Sequence, residues 1–163
     1  MGIRNGEPAD YPHVIQRLDE WWGGREMHQM LPKLFFIHFR PTTFVWEENG
    51  KIVGFVAAFM SQTFPDRAYS HFIGVDPEFR RKGIGQALYL HLFSVVKALG
   101  GTSVHAVTAP TNIYSLAFHR HLGFRFDPGK PDENGIPVVE NYDGLGGARV
   151  LMTRRLGGDH GRE

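Results

Sequence analysis

A chain of 163 residues that is 42% hydrophobic has the size of one globular domain and can bury a core without covalent staples. It contains no cysteine, which excludes disulfides, thiolate metal sites and an acyl-enzyme formed on cysteine. A formal net charge of +1 argues against general nucleic-acid binding, and no apolar run approaches the ~18 residues of a membrane span. The start MGIRNG lacks the apolar core of a signal peptide, so a soluble, cytoplasmic protein without a membrane partner is expected. Residues 1–156 read as a single domain, and 157–163 as a disordered tail.

After a short apolar-polar start, Asp10 can cap a helix on which Tyr11, Val14, Ile15, Leu18, Trp21 and Trp22 recur at helical spacing until Gly23 and Gly24 end it. A second helical segment is expected from about Arg25 to Phe39, kinked at Pro32 and closed by Pro41. TTFVWEENGKIVGFVAAFM predicts two strands joined by Asn49-Gly50, a pair suited to the positive φ angles of a tight hairpin. A strand over about Ala68 to Val75 leads into DPEFRRKGIG. A helix follows from about Gly83 to Leu99, with Ile84, Leu88, Leu92, Val95 and Leu99 on one face. Thr102 to Thr108 reads as a strand, Thr111 to Leu122 as a helix, Phe124 to Phe126 as a short strand and Arg149 to Leu156 as a last one. The connection from Asp127 to Gly147 is long and rich in Gly, Pro, Asn and Asp, as functional loops often are.

Between strand and helix, RRKGIGQAL should leave backbone amides unpaired at the helix start, beside Arg80, Arg81 and Lys82. Gly83 and Gly85 permit close approach of an anion, and a pyrophosphate fits that description. The turn does not satisfy the P-loop pattern, and Leu88 stands where a dinucleotide fingerprint needs its third glycine. A plain basic surface turn is the structural alternative.

Arg80-Arg81-Lys82-Gly83-Ile84-Gly85 resembles the R/Q-x-x-G-x-G/A motif of the GNAT superfamily of acyl-CoA-dependent N-acetyltransferases. The resemblance continues through Asn112, Ser115 and Leu122-Gly123-Phe124, so that it spans about Tyr69 to Phe126. It implies an α/β fold of the α+β type, with a mixed central sheet of six to seven strands flanked by about four helices. It implies that the segment Arg80, Arg81, Lys82, Gly83, Ile84, Gly85, Gln86, with Asn112 and Ser115 on the later helix, belongs to the acetyl-CoA site. Backbone groups near Ile73 and Val75 would pair with the pantetheine arm where a bulge splays the sheet. The implied reaction moves an acetyl group from acetyl-CoA directly to an amine.

Asn112, Ser115 and His119 share a helical sector of about 60°, whereas His121 lies about 160° away from His119. The two histidines therefore cannot readily clamp one ion, and no metal is expected. At the position of His119 the family commonly has Tyr, placed to protonate the departing thiolate. Imidazolium can also donate a proton, so a general-acid role and a passive one are both open. For the base, His71 is the candidate, on a strand face expected to carry Tyr69, Ile73 and Val75; a similarly placed histidine assists proton removal in some aralkylamine-type relatives. A histidine merely satisfied within the sheet is the alternative.

The acceptor is not legible. Trp21, Trp22, Phe35, Phe36 and the 127–147 loop could line its pocket, and Glu140 and Asp143 could attract a cation. A coenzyme-A-binding sensor or interaction module with reduced catalysis is a second reading, invited by the Tyr-to-His departure. Nucleic-acid binding through Arg80 to Lys82 is a third and is not expected. A homodimer could form through exposed strands or the aromatic helices.

Overall fold

A computed structural model describes residues 2–24 and 26–157. The tail expected after Leu156 lies, from Gly158 onward, outside the described residues, as does Arg25. The strands are β1 (Gly2–Asn5), β2 (Thr43–Glu48), β3 (Lys51–Met60), β4 (Arg67–Val75), β5 (Ser103–Thr108), β6 (Arg125–Phe126), β7 (Lys130–Pro131), β8 (Pro137–Val138) and β9 (Val150–Arg155). The helices are α1 (Tyr11–Trp21), α2 (Phe35–His38), α3 (Ile84–Ala98) and α4 (Ile113–His121). Seven strands form a mixed sheet in the order β1-β2-β3-β4-β5-β9-β6, and β7 and β8 form a separate hairpin inside the expected loop. Every neighbouring pair in the large sheet is antiparallel except β4 and β5. That parallel pair needs a crossover, and α3 supplies it.

The two faces of the sheet are covered by different helices. On one face Leu88, Tyr89, Leu92 and Val96 of α3, with Leu116 of α4, pack on Val53, Val56, Ala68, Val104 and Met152. On the other, Val14, Leu18 and Trp21 of α1 and Phe35 of α2 pack on Val45, Phe55 and Ala57. Each fully buried side chain of this size contributes roughly 1.5–3 kcal/mol of transfer free energy, so the apolar stripe of α3 fixes its seat on the sheet. Among the described residues no helix is long and apolar enough to cross a membrane.

Asn49 and Gly50 have φ of 51° and 76°, and the β2–β3 hairpin forms as its turn residues demand. The expected helix from Arg25 to Phe39 does not form. A three-residue 3-10 turn, His28–Met30, and the single turn α2 stand in its place, because the ring of Pro32 and its missing N–H block a continuous ladder.

Asp10 departs from expectation in another way: its carboxylate makes no cap bond to α1. It accepts the Glu7 amide at 2.8 Å and takes both guanidinium nitrogens of Arg4, each at 2.8 Å, thereby tying β1 to the entry of α1. Burial alone would raise the pKa of Asp10, but the Arg4 fork and the Glu7 amide outweigh it and hold the carboxyl below its ordinary range. The stabilisation is therefore present above the unfolded value of ~3.9 and is lost as pH falls through the lower folded value. Asp10→Asn should flatten the acid side of a stability-versus-pH curve measured by urea unfolding, while the wild-type curve keeps falling.

Candidate active site

The parallel pairing of β4 with β5 is short. Only Arg67, Ala68 and Tyr69 are paired, opposite Ser103, Val104 and His105, and beyond Tyr69 the strands part. On its other side β4 pairs Phe72 with Ala57 and Ser70 with Ala58, so His71 is the extra residue of a bulge. The bulge reverses the alternation. Ser70 faces α3, His71 and Phe72 both face the α1 side, and Ile73 and Val75 turn back toward the α3 core. The expected shared face thus survives for Tyr69 and His71 and fails for Ile73 and Val75, since one inserted residue shifts a period of two by one step. The Asp76 amide bonds to the Val53 carbonyl at 2.8 Å. Antiparallel alternation then turns the backbone groups of Ile73 and Val75 away from β3, toward the opening beside β5.

This opening leads to the glycine turn. Arg81 and Gly83 occupy the left-handed region at φ 64° and 79°, folding the chain sharply into α3. The first i→i−4 bond of that helix runs from the Ala87 amide to the Gly83 carbonyl at 2.9 Å, so the amides of Ile84, Gly85 and Gln86 precede the ladder. A Cβ on Gly85 would lie 3.0 Å from Phe118, which explains a glycine where α3 meets α4. The cationic side chains differ in availability. Arg81 and Lys82 are exposed, whereas the guanidinium of Arg80 donates to the Val75 carbonyl at 3.3 Å and the Trp21 carbonyl at 3.1 Å. Arg80 thus braces the turn from behind, a task its sequence position did not reveal.

His71 stacks on Phe35 with centroids 4.8 Å apart, and its Nε2–H donates to the Met30 carbonyl at 2.5 Å. A carbonyl can only accept, so the lone pair of the neutral ring resides on Nδ1. His119 lies elsewhere: it is 4% exposed, and both ring nitrogens are occupied. Its Nδ1 bonds to the Ser115 carbonyl at 2.8 Å, and Nε2 meets the Tyr89 hydroxyl at 2.7 Å. That hydroxyl also meets the Ser70 hydroxyl at 2.9 Å. Burial lowers the pKa of His119, and the Ser115 carbonyl only partly counters it. His119 is therefore linked through Tyr89 to Ser70 of β4, and all three side chains are buried. Asn112 accepts the Ser115 amide at 3.1 Å and starts α4. Gly123, at φ 90°, ends it, with the Phe124 amide on the His119 carbonyl at 3.0 Å. His121 is exposed on the far side, as helical geometry predicts.

A cleft of about 310 Å³ opens on the His71 face where β4 and β5 part. Phe59, Tyr69, His105, Asp127, Tyr142 and Leu151 line it. The Thr153 hydroxyl donates to Asp127 at 2.7 Å and accepts from His105 Nδ1 at 3.1 Å, while Ser103 bonds the other ring nitrogen at 2.9 Å. Burial first, and then Arg67, lower the pKa of His105. Burial, with smaller effects of Tyr142 and Asp143, pushes the Tyr69 hydroxyl up to about 12. Both side chains are thus neutral near pH 7. A larger depression of about 620 Å³, lined by Arg120, Arg125 and Phe126, lies at the β6 edge and includes none of the residues around the β4–β5 opening.

Several sequence expectations resolve differently here. Trp21, Phe35 and Phe36 are core, and Glu140 pairs with Lys130 at 3.6 Å instead of facing the cleft. From the loop, Asp127 and Tyr142 are the residues that line the cleft. Ser70 and Tyr89 carried no sequence signal, since each looks like an ordinary strand or helix position until the bulge and the crossover bring them together. Among the described residues no group of three or more His, Asp or Glu side chains is arranged to hold a metal ion.

A mixed sheet split beside a glycine turn at a helix start, with a cleft on the opposite face, is an acyltransferase-like architecture. Solved structures share it across nearly the whole chain. The ribosomal-protein-S18-alanine N-acetyltransferase of Escherichia coli superposes with a TM-score of 0.67 at 20% identity, covering 99% of this chain and 97% of that one. An aminoglycoside 6'-N-acetyltransferase complexed with coenzyme A gives 0.69 at 16% identity, covering 98% and 99%. In sequence, the Escherichia coli enzyme is 28% identical over 112 residues, 58% of this chain and 74% of its own length. The L-2,4-diaminobutyric acid acetyltransferase of Nocardia farcinica is 34% identical over 79 residues, 48% and 41% of the two chains. The profile of the Acetyltransferase (GNAT) family matches residues 7–124, and the chain belongs to that family. It is an acetyltransferase with the sheet and helices that the resemblance implied.

Proposed function

We propose that the protein transfers an acetyl group from acetyl-CoA directly to a primary amine held in the 310 Å³ cleft. The observation that carries this reading is the parting of β4 and β5 beyond Tyr69, a residue that lines the cleft; the amides at the start of α3 that precede its ladder support it. Amides of Ile84, Gly85 and Gln86, flanked by Arg81 and Lys82, suit the pyrophosphate of the co-substrate. The outward backbone groups of Ile73 and the outward amide of Val75 suit its pantetheine arm, as a strand would be received. Asn112 and Ser115 support this site through the start of α4. The names of the relatives each give an amine-bearing acceptor: an alanine of a ribosomal protein, diaminobutyric acid and an aminoglycoside.

The cleft is at the small end of ligand sites; one acid, Asp127, and one cation, Arg67, line it with Tyr69 and Tyr142, and Asp127 with the two rings suits a compact amine. Such an amine is mostly ammonium at pH 7, with pKa ~10.4 for a lysine-like group, and must lose a proton before it attacks. His71, outside the cleft lining but on the same strand face as the lining residue Tyr69, takes that proton on Nδ1, the nitrogen not bonded to the Met30 carbonyl. The sheet opening then holds nitrogen and thioester carbon within reaction distance, and such positioning can contribute roughly 7–11 kcal/mol toward lowering the barrier.

The test is incubation with acetyl-CoA and a panel of compact diamines and amino-acid amines, following free thiol and N-acetyl product together. One thiol released per acetyl amide formed is expected. Coenzyme A binding with no acetylated product from any amine would overturn the proposal.

A further inference from the structure

Arg67 and Asp127 bring opposite charges to one cleft, and they are the charged side chains of its lining. The Arg67 guanidinium lies over the ring of Phe64, 4.1 Å from its centroid, and makes no ion pair or hydrogen bond among the described residues. Asp127 is fixed by a line of hydrogen bonds with a single direction. Its carboxylate can only accept, so the Thr153 hydroxyl donates to Oδ1. The Thr153 oxygen then accepts from His105 Nδ1–H, and His105 Nε2 accepts from the Ser103 hydroxyl. Three donors in series thus point toward Asp127, whose Oδ2 takes no hydrogen bond from any described residue. Strand register sets the two charges at opposite ends of the cleft. Arg67 stands opposite Ser103, and the last pair, Tyr69 with His105, lies two residues nearer the opening. The Asp127 amide bonds to the Leu151 carbonyl at 2.8 Å, and Leu151 pairs with Val107, two residues beyond His105. The levels of Arg67 and Asp127 are therefore four residues apart along β5, roughly 13 Å of backbone, which their side chains shorten from both ends.

We propose that the acceptor is a free amino acid, bound with its carboxylate on Arg67 and its ammonium on Asp127. The inference rests on the acetyl-transfer reading above and names the substrate class of that site. A guanidinium receives a carboxylate through parallel N–H donors, and the open oxygen of Asp127 accepts from an ammonium. Together they also set direction. The carboxylate lies at the paired end of β4 and β5, and the amine lies toward the opening, on the side where the thioester is to be met. Other amines complement the two charges less well. A diamine brings a second ammonium toward Arg67, and like charges repel at such range. A peptide amino terminus has no free carboxylate next to its amine, so Arg67 meets an amide carbonyl, a neutral and weaker acceptor. Burial first, and then Arg67, lower the pKa of His105, so the ring adds no further charge to the cleft near pH 7.

The test compares the common amino acids and ornithine, each with its own carboxamide, by following free thiol and N-acetyl product at varied acceptor concentration. The carboxamide keeps every amine and loses the negative charge. An α-amine beside a carboxamide is the weaker base, so intrinsic reactivity favours the carboxamide and a preference for the acid reports recognition. At least one amino acid should react with kcat/KM ~10-fold or more above its carboxamide, the scale of one hydrogen bond to a charged group. Arg67→Gln should bring the two values together by lowering that of the acid, and Arg67→Lys should restore part of the difference. Asp127→Asn, whose amide oxygen can still accept from Thr153, should lower acid and carboxamide alike. Arg67 is exposed at the start of β4, and thermal unfolding checks that its variants fold. A carboxamide used as well as its acid, or a preference that survives Arg67→Gln, would overturn the inference and leave acetyl transfer standing. Product from 1,4-diaminobutane but from no amino acid would do the same. Absence of N-acetyl product from acids, carboxamides and diamines alike sinks the reading beneath it as well.

Discussion

Replacing His71 by Ala is expected to lower kcat/KM for the amine by ~10²–10⁴-fold near pH 7, the range typical of a lost general base. The loss should shrink toward the pKa of the acceptor, where neutral amine is abundant without help. A pH-rate profile measures this directly: the wild-type acidic limb should disappear in the variant. Because His71 also stacks on Phe35 and bonds the Met30 carbonyl, His71→Gln is the informative partner. Its side-chain amide can restore the carbonyl bond but cannot accept a proton near neutrality. A Gln variant with the Ala phenotype and wild-type thermal stability assigns the loss to proton transfer. An acidic limb that persists in both variants would remove His71 from the reaction.

The largest stability effect is expected at Arg17. Its guanidinium donates to the Ile52 carbonyl at 2.8 Å and pairs with Asp76, whose residue is 4% exposed. Arg17→Ala leaves a buried carboxylate without its counter-charge, a defect that typically costs ~3–5 kcal/mol. Denaturant unfolding should show the midpoint falling with the m-value unchanged. Arg17→Lys should recover only part, because a single ammonium cannot occupy both places of the planar fork. Removing both charges, as in the Arg17→Ala, Asp76→Asn pair, should be less destabilising than Arg17→Ala alone. The effect reaches the site as well. Asp76 accepts the Glu78 amide at 3.0 Å and so begins the Pro77–Phe79 turn that leads to Arg81 and Gly83. A rise in KM for acetyl-CoA should therefore accompany the lost stability, and an unchanged KM would separate the ion pair from the glycine turn.

Periodicity and turn chemistry carried much of the architecture. The apolar stripe of α3, the Asn49-Gly50 hairpin, the Gly123 stop of α4 and the anion-suited turn at Gly83 are local features, decided by residues a few positions apart. The segment from Arg25 to Phe39 misled because its apolar spacing suggests a helix while Pro32 prevents one, and the short turns that replace it depend on packing against β3. Helical geometry also separated His119 from His121 correctly, since a 3.6-residue period holds within one unbroken helix.

What a single sequence determined about this protein is the set of parts whose conformation is dictated by near neighbours: strands β2 to β6 and β9, helices α1, α3 and α4, the phosphate-suited turn and the family pattern they compose. The tertiary structure alone decided where the functional side chains point. One inserted residue at His71 reversed the facing of Ile73 and Val75, and the α3 crossover brought Tyr89 between Ser70 and His119, three residues spread over fifty positions of chain. The physical reason is that side-chain direction on a strand depends on register with its neighbour, and a buried hydrogen bond depends on donors brought together by packing. Neither quantity is written in the residues on either side.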